Sequence, residues 1–253
     1  MPLDSYLPSP DGDPRSLVVA NRTEPEPLQR MIENLFAEQE VSVGERAVES
    51  YDDDTVLLVE DGEILATSPL RDLQDAILMV NSDLYVTGTR HFAETDVPEV
   101  INGLAETPFR LRGYPESNSE KLLLILISRH IERLAYAAEG GTLRSSFQRL
   151  SRIRDESGTK ETYESVAGTG VDVHVYGRAD WEPTRELDVT AHAGRKWDFE
   201  NSWFVLYNPD SDGPDGESAA LLAIQSDDRT WDGFWTYDRS AVEELARYVR
   251  CRL

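Results

Sequence analysis

Two segments near the C-terminus are apolar on both faces of a strand, and this feature limits most strongly what the chain can fold into. In SWFVLYN (202–208) and SAALLAIQ (218–225), apolar side chains occupy odd and even positions alike. Successive side chains of a strand point to opposite faces, so both faces of these strands must be covered. We therefore predict that they lie at the centre of a sheet that is covered on both sides.

Amphipathic helices alternate with the strands. Apolar residues recur at helical spacing in residues 24–39 and again in residues 119–139, which form the longest helical pattern of the chain. Ser68 and Ser240 each precede a helical pattern, and the sequence predicts that their hydroxyl groups cap the helices that follow.

The alternation of strands and helices predicts an α/β fold of mixed α+β type. We expect two packed α/β halves with mixed sheets, joined by the long central helix 119–139. Residues 1–15 are rich in proline and aspartate and are predicted to be a disordered tail. Residues 16–112 would then form an N-terminal α/β segment, and residues 119–253 a second domain.

The two halves share an order of elements. In each, a strand, a helix and a strand are followed by further strands, a hairpin, a capped turn and a helix. Residue identity between the halves is poor, so two interpretations stand side by side. One is a divergent duplication, and the other is convergence on a common α/β plan.

The chain is strongly acidic, with a net charge of −23 and only three lysines among its 25 basic residues. Such a chain repels phosphate backbones and anionic lipids, so neither nucleic acid nor a membrane is expected as a partner. Where concentrated salt screens repulsion, hydrated carboxylates keep a protein in solution. We interpret the acidity as a halophilic trait, that is, as adaptation to salt rather than to a ligand.

Cysteine and histidine are too few or too scattered for metal binding. Cys251 is the single cysteine, which excludes an internal disulfide and a cysteine-based zinc site. We expect no metal, and no cofactor is indicated. The histidines show no spacing typical of metal ligands: His91, His130, His174 and His192.

Targeting signals are not visible in the sequence. No basic segment followed by an apolar stretch opens the chain, which argues against a secretory signal. The longest apolar run, LLLILI (122–127), is too short to cross a bilayer. The sequence therefore predicts a soluble, cytoplasmic protein.

Two strands carry a polar face opposite an apolar one, TLRSSFQ (142–148) and VDVHVYGR (171–178). If their polar faces lie side by side, they form a basic, hydrogen-bonding surface in an acidic protein. Convergent polar groups are typical of a small-ligand pocket, whereas the simpler alternative is a pair of solvated edge strands. The candidate ligand-binding residues on these faces are Arg144, Gln148, His174, Tyr176 and Arg178.

An aromatic wall is predicted near the C-terminus. Trp231, Trp235 and Tyr237 occupy alternate positions of one strand and so share a face. Such a wall belongs mainly to the core, because large aromatic side chains contribute most to buried area. Trp235 and Tyr237 are also candidates for the edge of the ligand pocket.

Enzyme motifs are missing from the sequence. It contains no GxSxG, GxxxxGK[ST], HExxH or strand-following GxGxxG segment. His130 invites comparison with phosphoacceptor histidines, but an ordinary surface histidine is the preferred interpretation. We predict no catalytic residues. The alternative is an enzyme of unrecognised type that uses His174 with Asp172 or Arg178.

The C-terminal half resembles the DICT domain, a sensory module associated with diguanylate cyclases and two-component systems. The resemblance is carried by residues 128–152, 171–181, 202–208 and 234–245, which occur in the family's order. The acidic, standalone architecture is similar to versions from salt-loving archaea. The resemblance implies signal input rather than catalysis.

These observations predict a non-catalytic cytoplasmic protein of signal transduction. It would bind a small ligand through its DICT-like domain, or a signalling partner such as a histidine kinase or a cyclic-nucleotide protein. A pure interaction scaffold is a further alternative, which an exposed apolar helix stripe would favour.

Overall fold

Over the residues that the structure describes, the chain forms two mixed sheets, of four and seven strands, with helices packed on them. The computed structural model describes residues 3–8, 15–37, 39–85, 97–112, 118–210 and 217–253. Within these ranges, the predicted mixed α/β class is confirmed.

The first sheet consists of β1 (Arg15–Ala20), β2 (Val41–Arg46), β3 (Thr55–Glu60) and β4 (Glu63–Pro69). Its order is β2-β1-β3-β4; β1 is parallel to β2, and the other neighbours are antiparallel. Asp61 and Gly62 both adopt positive φ, at 50° and 82°, in the hairpin between β3 and β4. Asp-Gly pairs favour this left-handed turn, because it matches the twist of the strands.

The helices of the first half are α1 (Glu26–Phe36), α2 (Leu70–Tyr85) and the short α3 (Glu99–Asn102). The prediction that Ser68 caps α2 is wrong. Ser68 lies in β4, and its hydroxyl accepts a hydrogen bond from the backbone N–H of Val100 at 3.2 Å. The serine therefore ties β4 to α3, a use of the hydroxyl that competes with capping.

The second sheet consists of β5 (Phe109–Arg112), β6 (Thr142–Arg149), β7 (Asp172–Arg178), β8 (Thr190–Ala193), β9 (Ser202–Asn208), β10 (Ala219–Asp227) and β11 (Thr230–Thr236). Its order is β5-β11-β10-β9-β6-β7-β8. Strands β6, β7 and β8 are parallel, and the remaining neighbours are antiparallel. The prediction that residues 202–208 and 218–225 are central strands is confirmed. Strands β6 and β7 are interior too, so they are not the edge strands of the simpler alternative.

The helices of the second half are α4 (Asn118–Ala138), α5 (Ser151–Asp155), α6 (Ser157–Ala167), α7 (Trp197–Asn201) and α8 (Arg239–Arg252). Helix α4 packs against α1, α2 and β9 and so connects the two halves, as predicted. The cap of α8 differs from the prediction: Asp238, not Ser240, accepts the N–H of Ala241, at 2.8 Å.

The two faces of the second sheet have different partners. On the α4 face, Leu143, Val175 and Trp235 belong to a core that continues into the first sheet. On the α8 face, Tyr176 and Phe204 belong to a second core, together with α8. The α4 face is thus the side of the sheet that carries Leu143, Val175 and Trp235, and the α8 face is the side that carries Tyr176 and Phe204.

Part of the predicted tail is structured. Residues Leu3–Tyr6 form a 3-10 helix that packs against α8, and the side chain of Leu3 is only 1% exposed. Residues 1, 2 and 9–14 of that tail lie outside the described residues. The N-terminal turn thus covers the α8 face of a sheet formed by the far end of the chain.

Polar residues of α4 are buried rather than solvent-facing. Arg129 and Glu132 are 6% and 3% exposed and form an ion pair, with Nη1 and Oε2 2.6 Å apart. Arg129 also donates to Thr159 of α6 at 2.9 Å. His130, for which a surface position was the preferred interpretation, is buried with its ring edge against Tyr237. Helix α6 packs on this side of α4, which the apolar stripe alone does not reveal.

Strand β5 crosses from the predicted N-terminal segment into the second sheet. It pairs with β11, so that Phe109 lies opposite Gly233. A Cβ atom at Gly233 would lie 2.5 Å from Cζ of Phe109 and 2.6 Å from the Leu222 carbonyl oxygen. The glycine interrupts the aromatic wall because the Phe109 ring occupies the space of a side chain.

Candidate functional site

The predicted binding residues separate into two groups on opposite faces of the second sheet. Trp235 is 2% exposed on the α4 face, with its ring centroid 5.9 Å from that of Phe109. Tyr237 packs against the same core, and its hydroxyl donates to Asn102 Oδ1 at 2.9 Å. Tyr176 belongs to the core on the α8 face. The prediction that Trp235 and Tyr237 border a pocket with the polar strand residues is therefore wrong, whereas their interpretation as mainly core is confirmed.

The polar faces of β6 and β7 do lie side by side. The parallel pairing places Arg144 opposite His174, and Ser146 opposite Tyr176. The polar residues of these strands then fall into two clusters, one in the amino-terminal half of the strands and one at their carboxyl ends.

The first cluster is a hydrogen-bonded row across β7 and β8, here called the histidine row: Asp172, His174 and His192. His174 Nε2 lies 2.9 Å from Asp172 Oδ2, and His174 Nδ1 lies 2.8 Å from His192 Nε2. The His192 ring stacks on Tyr176 with centroids 4.4 Å apart and planes 8° apart. Burial, followed by the charges of His174 and Arg144, lowers the pKa of His192.

Arg144 lies beside the histidine row and is half-buried. Its Nε and Nη1 atoms are buried without a hydrogen-bond partner among the described residues. Burial lowers the pKa of its guanidinium, and burial likewise raises the pKa of Tyr176.

The second cluster lines an open cleft of about 430 Å³, here called the arginine cleft. It lies at the sheet edge where β6, β7 and β10 end and where β9 and β11 begin. Gln148 and Arg178 from the predicted set line this cleft, so they lie apart from His174 and Tyr176. Its lining residues are Gln148, Arg149, Arg152, Arg178, Glu200, Asn201, Gln225, Asp228, Arg229 and Trp231.

A bulge near the end of β6 sets the geometry of the cleft. The register between β6 and β7 shifts after Ser146, Gln148 adopts a φ of +52°, and Arg149 pairs with Arg178. Bulges re-aim side chains at the ends of paired strands. Here the shift brings two arginines of adjacent parallel strands to the same edge, and ligands commonly bind at the carboxyl ends of such strands.

Side-chain contacts fix the orientation of the cleft residues. Gln148 is buried; its Nε2 donates to the Ser202 carbonyl oxygen at 2.8 Å, and its Oε1 accepts from Arg152 Nη1. Arg178 Nη1 lies 3.8 Å from Glu200 Oε1, so both groups keep much of their exposure to the cleft. The Gln148 side-chain amide thus connects β6 to the first residue of β9 and to α5, and so fixes these elements around the cleft.

The charge of the cleft is opposite to that of the chain. Four arginines line it, against the two carboxylates of Glu200 and Asp228, in a protein of net charge −23. Guanidinium groups are the preferred ligands of carboxylate and phosphate, to which they donate two parallel hydrogen bonds. The arrangement is chemically suited to hold a small anion.

Sequence reasoning missed several residues of both clusters. His192 lies in β8, a four-residue strand that was not predicted. Arg149, Arg152 and Arg229 follow strand ends, where charged residues are usually solvated. One signal was present: four arginines, including Arg144, fall between residues 144 and 154.

The described residues contain no group of three or more His, Cys, Asp or Glu side chains placed to hold a metal ion. His91 lies outside those residues. Over the same part of the chain, every helix is too short or too polar to cross a membrane.

No protein-family model matches the chain, and no curated protein matches it either. The resemblance to the DICT domain therefore stays a prediction. Among solved structures, the chain is similar to polyphosphate kinase from Porphyromonas gingivalis, with a TM-score of 0.38 and 15% sequence identity. The similarity covers 66% of this chain and 27% of the enzyme's chain, and it is too distant to bear on function.

Proposed function

We propose that this protein is a non-catalytic cytoplasmic sensor that binds a small anion in the arginine cleft. The observation that carries the proposal is the lining itself, four arginines in a chain with a surplus of 23 negative charges. A general repulsion of anions by the rest of the surface makes a local positive site selective. The resemblance of residues 119–253 to a DICT domain supports a sensory role.

The composition of the cleft favours binding over catalysis. Its lining supplies guanidinium, amide and carboxylate groups and one tryptophan, but no cysteine, serine or histidine. A nucleophile next to a base, which covalent catalysis requires, is not among these residues. Arginine cannot act as a base at neutral pH, because it stays protonated.

Bound anion would connect segments that are remote in sequence. The cleft is bordered by the β6–α5 junction, the end of α7 and the β10–β11 turn. A ligand that contacts all three favours the arrangement in which they are closest, which shifts the population of conformers. The shifted state would be read by a signalling partner, such as a histidine kinase or a cyclic-nucleotide protein, rather than by nucleic acid or a membrane.

Thermal unfolding in the presence of small anions tests the proposal. Ligand at about a hundred times its Kd stabilises the native state by about 2.7 kcal/mol. We expect at least one phosphate ester, sulfate ester or carboxylate to raise Tm by several degrees in concentrated KCl.

The double variant Arg149→Gln/Arg178→Gln should lose this shift, whereas Arg247→Gln on exposed α8 surface should keep it. Equal shifts in the wild type and the double variant, or no shift with any anion, would contradict an anion site here.

A second candidate function is general acid–base catalysis by the histidine row. The observation in its favour is the carboxylate–imidazole–imidazole chain of Asp172, His174 and His192, with contacts of 2.9 and 2.8 Å. A carboxylate that orients an imidazole is a common element of acid–base sites. Turnover of a substrate that is lost in His174→Gln but kept in the double arginine variant would favour this row over the cleft.

A further inference from the structure

Strand β4 is an outer strand of the first sheet, and over the described residues its only strand neighbour is β3. Just beyond β4, the N–H of Leu70 donates to the Asp54 carbonyl oxygen at 2.7 Å. Hydrogen bonds between two antiparallel strands recur at every second residue, so Ser68 bonds β3, whereas Thr67 directs its N–H and C=O groups outward. Pro69 has no N–H, which agrees with this outward orientation of alternate residues.

The outer edge of β4 lacks the charged side chains that commonly keep an outer strand from pairing with other chains. Residues 64–70 carry no charge, in a chain of which 29% of the residues are charged. By contrast, β2 ends in Glu45 and Arg46, and β5 carries Arg110 and Arg112. The uncharged outer strand β8 has only four residues, against seven in β4. Among the outer strands of the described residues, β4 therefore offers the longest uncharged edge.

Exposed apolar side chains are concentrated on the same strand. Among the described residues, four large apolar side chains are exposed, and two of them are the consecutive Ile64 and Leu65, at 42% and 45%. The register between β3 and β4 shifts at this point. Such a bulge lets two consecutive side chains reach solvent. Exposed apolar groups beside an unpaired backbone are typical of an interaction surface.

The second sheet shows which kind of partner a strand in this position takes. The order β7-β6-β9-β10 repeats the order β2-β1-β3-β4 with the same directions, so β10 corresponds to β4. The outer side of β10 is paired with the antiparallel strand β11. Residues 219–224 of β10 are buried, whereas residues 63–65 of β4 are exposed. The position equivalent to the outer edge of β4 is thus one that accepts an antiparallel strand.

We propose that β4 pairs with β4 of a second copy of this chain, antiparallel and about a two-fold axis between the two Thr67 residues. The pairing joins the four-stranded sheets of the two copies into one continuous sheet. This interface lies in the first sheet, so it is independent of the anion site of the proposed function.

Charge complementarity favours a second copy in this register. Glu63 precedes the uncharged segment and Arg71 follows it; both are exposed, and neither forms an ion pair with a described residue. A two-fold axis at Thr67 brings Glu63 of each copy toward Arg71 of the other, because each contact of such an interface occurs twice. The same register places Leu65 opposite Pro69 of the second copy. Directly opposite side chains share a face of the sheet, so the exposed Leu65 gains an apolar contact.

Size-exclusion chromatography with light scattering tests the proposal. Concentrated KCl screens the repulsion between two copies that each carry a net charge of −23. We expect twice the 28.5 kDa mass of the chain at about 100 μM protein, and the single mass at about 1 μM, because small interfaces commonly give micromolar Kd values.

A charge on the edge should prevent the pairing. Leu65→Lys places an ammonium group where the second copy is expected to lie, and it should weaken association by about tenfold or more. The matched control is Trp197→Lys, which changes another exposed apolar residue, 54% exposed and in the second half of the chain. The control should associate like the wild type, and circular dichroism verifies that both variants are folded.

Exchange of the flanking charges tests both the register and the identity of the partner. Glu63→Arg alone, or Arg71→Glu alone, brings like charges together at both ends of the interface and should weaken association several-fold. The double variant Glu63→Arg/Arg71→Glu should recover it. Such recovery is specific to a second copy, because a different partner would not carry the exchanged charges.

Amide hydrogen exchange at the two protein concentrations locates the contact. Protection added in concentrated protein should be confined to the region of β4, residues 63–69. The amide of Ser68 bonds β3 in either state, so the added protection should come from outward-facing amides such as that of Thr67.

Each contrary outcome overturns the proposal. A single mass at every concentration excludes the pairing. A dimer that persists in Leu65→Lys, or added protection outside β4, places the interface elsewhere. Equal protection of β4 in dilute and concentrated protein shows that the edge is covered within one chain.

Discussion

The two sheets share a topology but differ in the residues at equivalent strand ends, the carboxyl end of β1 in the first sheet and that of β6 in the second. In the first, the order β2-β1-β3-β4 contains one parallel pair and two antiparallel pairs. In the second, β7-β6-β9-β10 repeats that order with the same directions, and β8, β11 and β5 are added at the margins. The shared order of elements seen in the sequence thus extends to strand pairing, which either duplication or convergence would produce.

In the first sheet, side chains of the protein itself hydrogen-bond the backbone groups at the carboxyl end of β1. Asn21, just after β1, donates to the carbonyl oxygens of Val48 and Tyr51 and accepts from Val48 N–H, each at 2.8 Å. Asp54 accepts the backbone N–H groups of Thr23 and Glu24. The carboxylate of Asp54 and the amide of Asn21 therefore satisfy the backbone N–H and C=O groups at these strand ends.

In the second sheet, the corresponding edge is left open and is lined with arginines. The chain leaves the first strand in a similar way, since Asn21 has a φ of +49° and Gln148 has a φ of +52°. The residues around this shared kink differ, with Asp54 near one and Arg149, Arg152 and Arg178 near the other. Arg22 lies at the end of β1 too, but it donates to Glu45. The shared topology therefore does not by itself place an arginine-lined cleft at these strand ends; the residues that follow the strands do.

The largest change in stability is expected at Asn21, the single side chain that makes three of the hydrogen bonds at the end of β1. Asn21→Ala removes three hydrogen bonds and forces alanine into a left-handed backbone, so unfolding free energy should fall by about 3 kcal/mol. Urea denaturation followed by circular dichroism measures the loss. Asn21→Gly should recover about 1 kcal/mol of it, because glycine tolerates positive φ. A loss below about 1 kcal/mol in the alanine variant would mean that water replaces these bonds.

A smaller effect, with a defined pH dependence, is expected at Asp54. Burial opposes ionisation, but hydrogen bonds from Thr23 and Glu24 outweigh it and hold the pKa of this carboxyl below its usual value. A lowered folded-state pKa stabilises the protein above the unfolded-state pKa of about 3.9 and ceases to do so as pH falls through the folded value. Asp54→Asn should therefore lower the free energy of unfolding at pH 7 by about 1 kcal/mol, which is measured as a lower Tm.

Acidification tests the same group. The difference in Tm between wild type and Asp54→Asn should begin to shrink as pH falls below about 4, where the unfolded chain takes up the proton, and should vanish once pH lies below the lowered folded-state pKa of Asp54. A difference that is constant from neutral to acidic pH would show that the charge of Asp54 does not matter and that only its shape does.

The smallest effect should have the opposite sign, and it concerns the open edge. Arg229 adopts a φ of +59° in the β10–β11 turn, a conformation that disfavours most side chains. Arg229→Gly should therefore stabilise the fold by up to about 1 kcal/mol. Differential scanning calorimetry measures the gain, with Arg195→Gly, at an exposed position without positive φ, as the control. Destabilisation by Arg229→Gly would mean that this side chain is held by contacts stronger than the backbone strain.

Local patterns in the sequence predicted the central strands and the long helix, because each spans enough residues to show its period. Strands of four residues do not. TAHA (190–193) shows too few alternations to be identified, and with it the histidine that completes the row on β7 was missed. FRLR (109–112) was missed for the same reason, although it forms one margin of the second sheet.

Alternation also fixes the face of a residue only within its own strand. Whether Trp235 and Tyr176 share a face of the sheet depends on the registers of the intervening strands β10, β9 and β6, which are set by tertiary pairing. The predicted pocket is wrong because it required Trp235 and Tyr176 to lie on the same face of the sheet. The bulge at Gln148 is likewise a tertiary feature, and it alone brings Arg149 beside Arg178.

The strand that crosses between the halves has a consequence for synthesis. β5 is translated more than a hundred residues before β11, its partner in the sheet. During synthesis, Phe109 and Leu111 of β5 therefore lack their strand partner until β11 has been made. An unpaired apolar strand is prone to association with other chains. The second sheet receives this edge strand only after nearly the whole polypeptide has emerged, so a chain that stops short of β11 leaves β5 without its strand partner.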